Sequence, residues 1–400
     1  MRPLSGITVL DFSRVLAGPM ATQILAELGA EVIKVERPGA GDESRLMQPM
    51  LPSGDSAYYF AFNRGKRSIT LDLGTERGRE LARELAGTAD VLVENFLPGR
   101  MDRLGLGYRT LAADNPGLVY VSTTGFGQRG PYADRRGYDT VFQALSGLMS
   151  MTGYPESPPA KAGIPVADMT SGLWIVIAAL TGLAGRASTG KGDHVDLSMM
   201  DVQVSLLALA AARLFVLDED PGRTGSAHPG RVPSEALACA DGRWLQISCS
   251  DQHWPSLCAV LGLDELAAEP GLRTNAGRLA ERDRVMAALR SAFAGRERDE
   301  LAGALRDAGI PAGEVNSVRE ILTDENTVAR DLVGSFDHPV AGAFPALRTP
   351  LRMDNGADDV QVPDIGTPPV LGADTEAVLR DRLKLSATDI DALRREGTIT

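Results

Sequence analysis

Asp168 is the residue around which chemistry is most readily built. It lies in residues 163–184 (GIPVADMTSGLWIVIAALTGLA), between an extended approach, Ile164-Pro165-Val166, and an apolar run from Leu173 to Leu183. Asp, Thr and Ser just before such a run are helix-start signals. A carboxylate there meets free N–H groups and the positive end of the helix dipole. That setting is expected to keep it ionised, as a carboxylate nucleophile requires. An Asp so placed is ordinarily an N-cap; the two roles can coexist. The small neighbours Ala167, Ser171 and Gly172 do not decide between them.

Cations gather near other segment ends. Arg37 directly follows residues 31–36 (EVIKVE) and offers a guanidinium on which a phosphate or an adenine face can rest. Arg64, Lys66 and Arg67 form a basic turn that reads as a solvated loop or as a local phosphate sink. Asn95, Phe96 and Leu97 follow residues 91–94 at the carboxyl end of a strand, where open α/β sheets bind ligands. Arg103 comes one helical turn after Arg100, so one face can present both guanidiniums. The loop 125–139 carries Arg129, Arg135 and Arg136 after another strand, and long glycine-containing loops there are often functional.

The elements that position these residues begin with a strand at 7–12, a helix at 17–28 ended by Gly29, and a strand at 31–36. This βαβ opening places the chain in the α/β class with a mainly parallel sheet. The first turn reads SRVLAGP and lacks the GxGxxG fingerprint, which disfavours a dinucleotide cofactor. Helices are expected at 76–86 and 140–151, strands at 69–73, 118–123 and 194–198, and a long apolar helix at 199–216 that something must cover. A linker at 218–233 opens a second domain, with Asp241-Gly242 as its hairpin signal. Domain limits are expected at 1–217, 218–330 and 331–400, with a Pro-rich loop at 344–350 and closing helices at 375–383 and 387–395.

Four hundred residues with a net charge of −12 argue against nucleic-acid and anionic-membrane partners. Cys239, Cys249 and Cys258 are too widely spaced for a zinc site and read as thiols of a reducing compartment. No metal is expected. No apolar run reaches about eighteen residues, so no membrane span is expected, and the cytoplasm is the expected location.

LDFSRVLAGP, EVIKVERP, NRGKRSITLDL, VENFLPG with Arg103, GYD with QALSGLMSMTG, VADMTSG and TPPVLGADTEAVL occur in that order over nearly the whole chain. Together they resemble the class III coenzyme A transferases, the family of formyl-CoA transferase and carnitine CoA-transferase (CaiB/BaiF type). The resemblance implies a Rossmann-like large domain built from both chain ends, a smaller α+β domain from the middle, and an interlocked homodimer. It implies Asp168 as the nucleophile, and a CoA site at Leu16, Ala17, Arg37, Leu71, Gly74, Asn95, Phe96, Leu97, Arg103, Arg136, Tyr138 and Asp139. Coenzyme A and acyl-CoA are then substrates, with a small carboxylic acid as acceptor and no permanently bound cofactor.

Departures from the family pattern narrow the acid. Leu16 stands where formyl-CoA transferases have Gln, and the glycine loop near 225–230 is short, with His228 as a possible active-site neighbour. An acid larger or more apolar than oxalate is expected, with a succinate-type donor and a branched or aromatic acceptor. Asp374 stands where the family often has His. The alternative is an α-methylacyl-CoA racemase, whose base would fall at Tyr138; a phenol titrating near about 10 is a poor base at neutral pH. A second alternative is a CoA-binding protein without activity.

Overall fold

The computed structural model describes residues 2–353 and 362–400, and the chain forms two compact units. The first comprises Met1–Leu148, Lys161–Ala212 and Asn326–Thr400; the second, Met149–Ala160 and Arg213–Glu325. The first unit alternates strands and helices: β1 (Thr8–Asp11), α1 (Ala17–Glu27), β2 (Glu31–Glu36), α2 (Ala57–Phe62), β3 (Arg67–Thr70), α3 (Glu76–Ala86), β4 (Val91–Glu94), α4 (Arg100–Arg103), α5 (Tyr108–Asp114) and β5 (Val119–Thr124). After these come α6 (Asp139–Leu145), α7 (Leu148–Met151), α8 (Val166–Thr189), β6 (His194–Ser198), α9 (Met199–Ser205) and α10 (Ala208–Leu217).

Six strands form one parallel sheet in the order β3-β2-β1-β4-β5-β6. This is the doubly wound arrangement. Its order reverses between β1 and β4, and a crevice opens at the carboxyl ends there. Every residue of β1, β4 and β5 is buried, as helices on both faces require. On one face α1 and α8 pack Ala21, Leu25, Ile175 and Ala179 against Val9, Val91, Val119 and Val121. On the other, Leu81 and Leu85 of α3 join Val378, Leu379, Ile390 and Leu393 of the closing helices Thr375–Leu383 and Ala387–Arg395. Asp374 ties this tail to β3: its carboxylate accepts from Ser68 N at 2.9 Å and faces Arg67 Nε at 3.5 Å.

Several expectations are corrected. The helix expected at 199–216 is two helices bent by 59°, α9 and α10. The Ser205 hydroxyl turns back to the Val202 carbonyl, and Leu206 N closes a tight bond to Gln203 O. The helix expected at 140–151 breaks at Gly147, which adopts φ 91°. The loop expected at 344–350 is largely a strand. β7 (Ser234–Ala238), β8 (Trp244–Ser248) and β9 (Ala312–Glu314) make the antiparallel sheet of the second unit. β10 (Val333–His338) and β11 (Gly342–Leu347) then form a hairpin in the first unit, with Phe336 and Phe344 stacked edge-on to Phe60. α8 has 24 residues and is long and apolar enough to cross a membrane by length and composition. Its uncharged run, 169–185, stays short of about eighteen residues, as expected, and one side of α8 is buried in the fold.

In the second unit the loop around His228 is anchored rather than loose. Gly230 N donates to His228 Nδ1, Arg282 donates to the carbonyls of His228 and Pro229, and Asn275 Nδ2 donates to Gly230 O. Cys239, Cys249 and Cys258 are free and buried; burial pushes the Cys249 thiol up to about 12 and the Cys258 thiol up to about 11.

α1 and α8 approach closely because residue 172 has no side chain. A Cβ at Gly172 would lie 2.9 Å from the Ala17 carbonyl oxygen, which is backbone and cannot swing aside. Gly172→Val is therefore expected to cost about 1–3 kcal/mol, read as a lower midpoint in urea unfolding.

Candidate active site

The crevice at the carboxyl ends of β1, β2, β3 and β4 holds a cavity of about 680 Å³. Its wall starts with Phe12, Ser13 and Arg14 from the turn after β1. Arg37 follows β2, Leu71 and Gly74 follow β3, and Phe96, Leu97, Arg100 and Arg103 follow β4. Arg136 enters from the loop before α6. Arg14 lies over the Phe96 ring at 4.7 Å and pairs with Glu43 at 2.6 Å. Among the described residues, Arg37, Arg100, Arg103 and Arg136 have no ion-pair partner, so four unpaired guanidiniums line one cavity, beside the carboxylates Glu36, Asp42, Glu43 and Asp72. A phosphate-bearing ligand suits such a set, because guanidiniums match phosphate oxygens bidentately.

The turn between β1 and α1 is held at nearly every backbone group. Ser13 N donates to Asp11 Oδ1, Arg14 N to Asn95 Oδ1, and Val15 N to both oxygens of Asp42. Asn95 returns a bond from Nδ2 to the Arg14 carbonyl at 2.9 Å. Burial alone would raise the Asp42 carboxyl, but the Lys34 ammonium and the Ser44 donors outweigh it and hold it well below the usual carboxylate range. Val15 itself sits at φ 70°, a left-handed conformation that β-branched residues resist.

Asp168 lies outside that cavity lining, in the first turn of α8. The helix starts earlier than its apolar run suggests: Pro165 is the N-cap and gives no side-chain bond, so Asp168 is the third helical residue rather than the cap. The cap is supplied from another element. Asp139 Oδ1 accepts from Ala167 N at 2.8 Å and Asp168 N at 3.3 Å, while Oδ2 accepts from Gln143 Nε2 at 2.6 Å. The electrostatic consequence corrects the expectation of a carboxylate held fully ionised. Burial, and then the neighbouring Asp139 carboxylate, push the Asp168 carboxyl up to about 7. Tyr58 of α2 shares this region. Burial, then Asp168, Asp42 and Asp139, push its hydroxyl up to about 12, so it remains an O–H donor at neutral pH.

Of the residues singled out from the sequence, Arg37, Leu71, Gly74, Phe96, Leu97, Arg103 and Arg136 meet in the cavity. Asn95 braces its wall, and Asp139 braces Asp168. Leu16 and Ala17 do not line the cavity; they are the buried N-cap and first residue of α1. Tyr138, the N-cap of α6, is 80% exposed and also lies outside the lining. The basic turn is neither solvated nor a phosphate sink. Arg64 pairs with Glu27, Lys66 with Asp11, and Arg67 with Glu31 and Asp374. Lys34, Asp42, Arg14 and Tyr58 were not anticipated. A lysine in the middle of an otherwise apolar strand was the readable signal, since a buried ammonium demands a partner.

The chain belongs to CoA-transferase family III, whose family model matches residues 4–375, and is therefore an enzyme of the CoA-transferase class. It is 40% identical over 357 residues to a succinate–glutarate CoA-transferase of Agrobacterium fabrum, covering 88% of this chain and 89% of that one. It is 40% identical over 334 residues to an acetyl-CoA:oxalate CoA-transferase of Acetobacter aceti, covering 83% and 85%. The crystal structure of a CaiB/BaiF family protein from Brucella suis superposes with a TM-score of 0.84 at 40% identity, covering 95% of this chain and 99% of that one. Among the described residues no group of three or more His, Cys, Asp or Glu is arranged to hold a metal ion.

A carboxyl near 7 in the folded chain and near about 3.9 when unfolded weakens the fold as pH rises through that interval. The neutral variant Asp168→Asn is therefore expected to be more stable than the wild type at pH 8. That advantage should shrink towards nothing near pH 4, as measured by urea unfolding at both pH values.

Proposed function

We propose that this chain moves CoA from an acyl-CoA donor to a carboxylic acid, with Asp168 as the nucleophile. The observation that carries the reading is the set of four unpaired arginines lining one crevice, in the same unit as a half-buried carboxyl set in the first turn of α8. Arg37, Arg100, Arg103 and Arg136 meet the phosphates of the nucleotide end, and Leu71 and Gly74 flank its adenine. Phe96 and Leu97, with Asn95 behind them, frame the nucleotide edge, and the turn 13–17 leads towards Asp168.

The ionised fraction of Asp168 attacks the thioester carbonyl. A C–O bond forms, the C–S bond breaks, and CoA thiolate leaves behind an aspartyl–acyl anhydride. The thiolate then attacks the aspartyl carbonyl, releasing the donor acid and forming an aspartyl-CoA thioester. The acceptor carboxylate displaces the thiolate from that thioester, giving a second anhydride. Attack of the thiolate on the acceptor's acyl carbon releases the new acyl-CoA and regenerates Asp168. Each step exchanges activated acyl bonds of similar energy, so the protein's work is alignment and exclusion of water. Tyr58, kept protonated and electrostatically coupled to Asp168, is the donor we assign to the oxyanion of each tetrahedral intermediate.

Succinyl-CoA is the donor we favour, with a dicarboxylic acid larger than oxalate as acceptor; the relative that acts on glutarate supports this, and the relative that acts on oxalate gives the competing choice. Two copies of the chain form the working enzyme. α6, α8 and α9 leave Val141, Leu145, Leu173, Trp174, Ile177, Leu180 and Val204 exposed, and a second subunit would cover them. The buried free thiols suit a reducing, cytoplasmic setting.

Asp168→Ala is expected to lower turnover at least about a thousandfold while CoA still binds. With wild type and succinyl-CoA, hydroxylamine should leave a hydroxamate on the Asp168 peptide, read by mass spectrometry; turnover at the wild-type rate in the variant would end the proposal. A glutarate and oxalate panel separates the acceptors. Arg103→Ala should raise KM for acyl-CoA about tenfold, a loss of about 1.4 kcal/mol in binding. Trp174→Asp should convert dimer to monomer in sedimentation velocity.

A further inference from the structure

Burying an ion pair rarely repays the loss of hydration, and apolar residues of similar size often serve stability as well. Lys34 and Asp42 are such a pair, 2.9 Å apart with both side chains at 0% exposure. Their remaining hydrogen-bonding capacity converges on one short turn. Lys34 Nζ also donates to the Ser13 carbonyl at 2.9 Å. Asp42 accepts from Val15 N at 3.2 and 3.3 Å, and its other donors are Ser44 N and Ser44 Oγ. The pair thus grips both ends of residues 13–15, with Arg14 between them held by Asn95.

That turn needs a grip. Val15 is left-handed at φ 70°, a conformation its branched Cβ opposes and a glycine would accept. The turn also links two parts of the site. Ser13 and Arg14 form cavity wall. Two residues after Val15, the Ala17 carbonyl abuts Gly172 on α8, one helical turn beyond Asp168. A change in the Val15 backbone would therefore shift the cavity wall relative to the helix that carries the nucleophile.

We propose that the Lys34–Asp42 pair is a positioning device: it holds the left-handed Val15 turn and thereby sets the substrate cavity in register with Asp168. The inference rests on Asp168 being the nucleophile. Lys34 and Asp42 act through the turn and take no part in bond making.

The test is the double variant Lys34→Met/Asp42→Asn, which leaves no unpaired charge of the pair and keeps an oxygen for the Ser44 cap. In the full-length protein its kcat is expected to fall about a hundredfold, the scale of a one-ångström misplacement, while the calorimetric Kd for CoA stays within threefold. Adding Val15→Gly removes the strain that the pair restrains and is expected to restore at least tenfold of the rate. Lys34→Leu/Asp42→Asn, equally free of unpaired charge, is read in the same way if the Met variant does not fold. A kcat within threefold of wild type overturns the proposal. So does a loss that Val15→Gly leaves unrepaired, since the pair would then be a stability element only. Hydroxylamine trapping separates the two readings. No wild-type adduct on Asp168 removes the nucleophile and this proposal with it. A wild-type adduct that the pair variant forms equally fast removes the positioning role alone.

Discussion

Five charged side chains, Asp11, Lys34, Glu36, Asp42 and Lys66, are buried beneath the carboxyl edge of the parallel sheet, and the geometry above them follows from the need to neutralise each one. Lys34 meets Asp42, Lys66 meets Asp11, and Glu36 accepts a bidentate Arg45. A buried charge that loses its partner is far costlier than a buried pair, so these residues leave the chain little freedom. The bonds left over go to the turns that form the crevice: Asp11 to Ser13, Asp42 to Val15 and Ser44, and Glu36 to Asp42 N. The polar core is the template on which the site's loops are cast.

A second constraint comes from packing. α1 and α8 lie on the same sheet face at a separation that only a glycine at 172 permits. Thr22, on the opposite side of α1, donates to Asp11 at 2.6 Å, so the helix touching α8 is bonded to the charged core. The start of α8 is fixed in turn by Asp139, whose carboxylate satisfies N–H groups that a helix begun at Pro165 would leave open. That economy has an electrostatic effect. The carboxylate that completes the helix also opposes ionisation of Asp168, and together with burial it brings the residue into the neutral pH range.

The chain carries a net charge of −12, yet the crevice presents guanidiniums. The contrast arises because carboxylates near the site are already committed. Asp42 answers Lys34, Glu36 answers Arg45, and Glu43 answers Arg14. A local field opposite in sign to the global one suits recruitment of a polyanionic ligand, because distant surface charge is screened within about 10 Å at ordinary ionic strength.

Much of this was legible in sequence because it depends on local pattern. The limits of β2, α3, β4, β6 and the two closing helices follow from apolar periodicity, and α1 stops just before Gly29, the punctuation that marked its end. The parallel α/β class follows from strand–helix alternation. The place of Asp168 at a helix start follows from the apolar run after it, and the arginines near strand ends follow from strand spacing. Tertiary structure alone decided who meets whom. Arg64, Lys66 and Arg67 look alike in a row, but four different distant carboxylates claim them, and sequence proximity says nothing about that. Asp139 caps a helix that begins 27 residues later, and Tyr58 shares a field with a carboxyl 110 positions away, so neither leaves a periodic trace. Local composition sets which elements form; the pairing of buried charge, which depends on distances across the fold, sets what those elements hold in place.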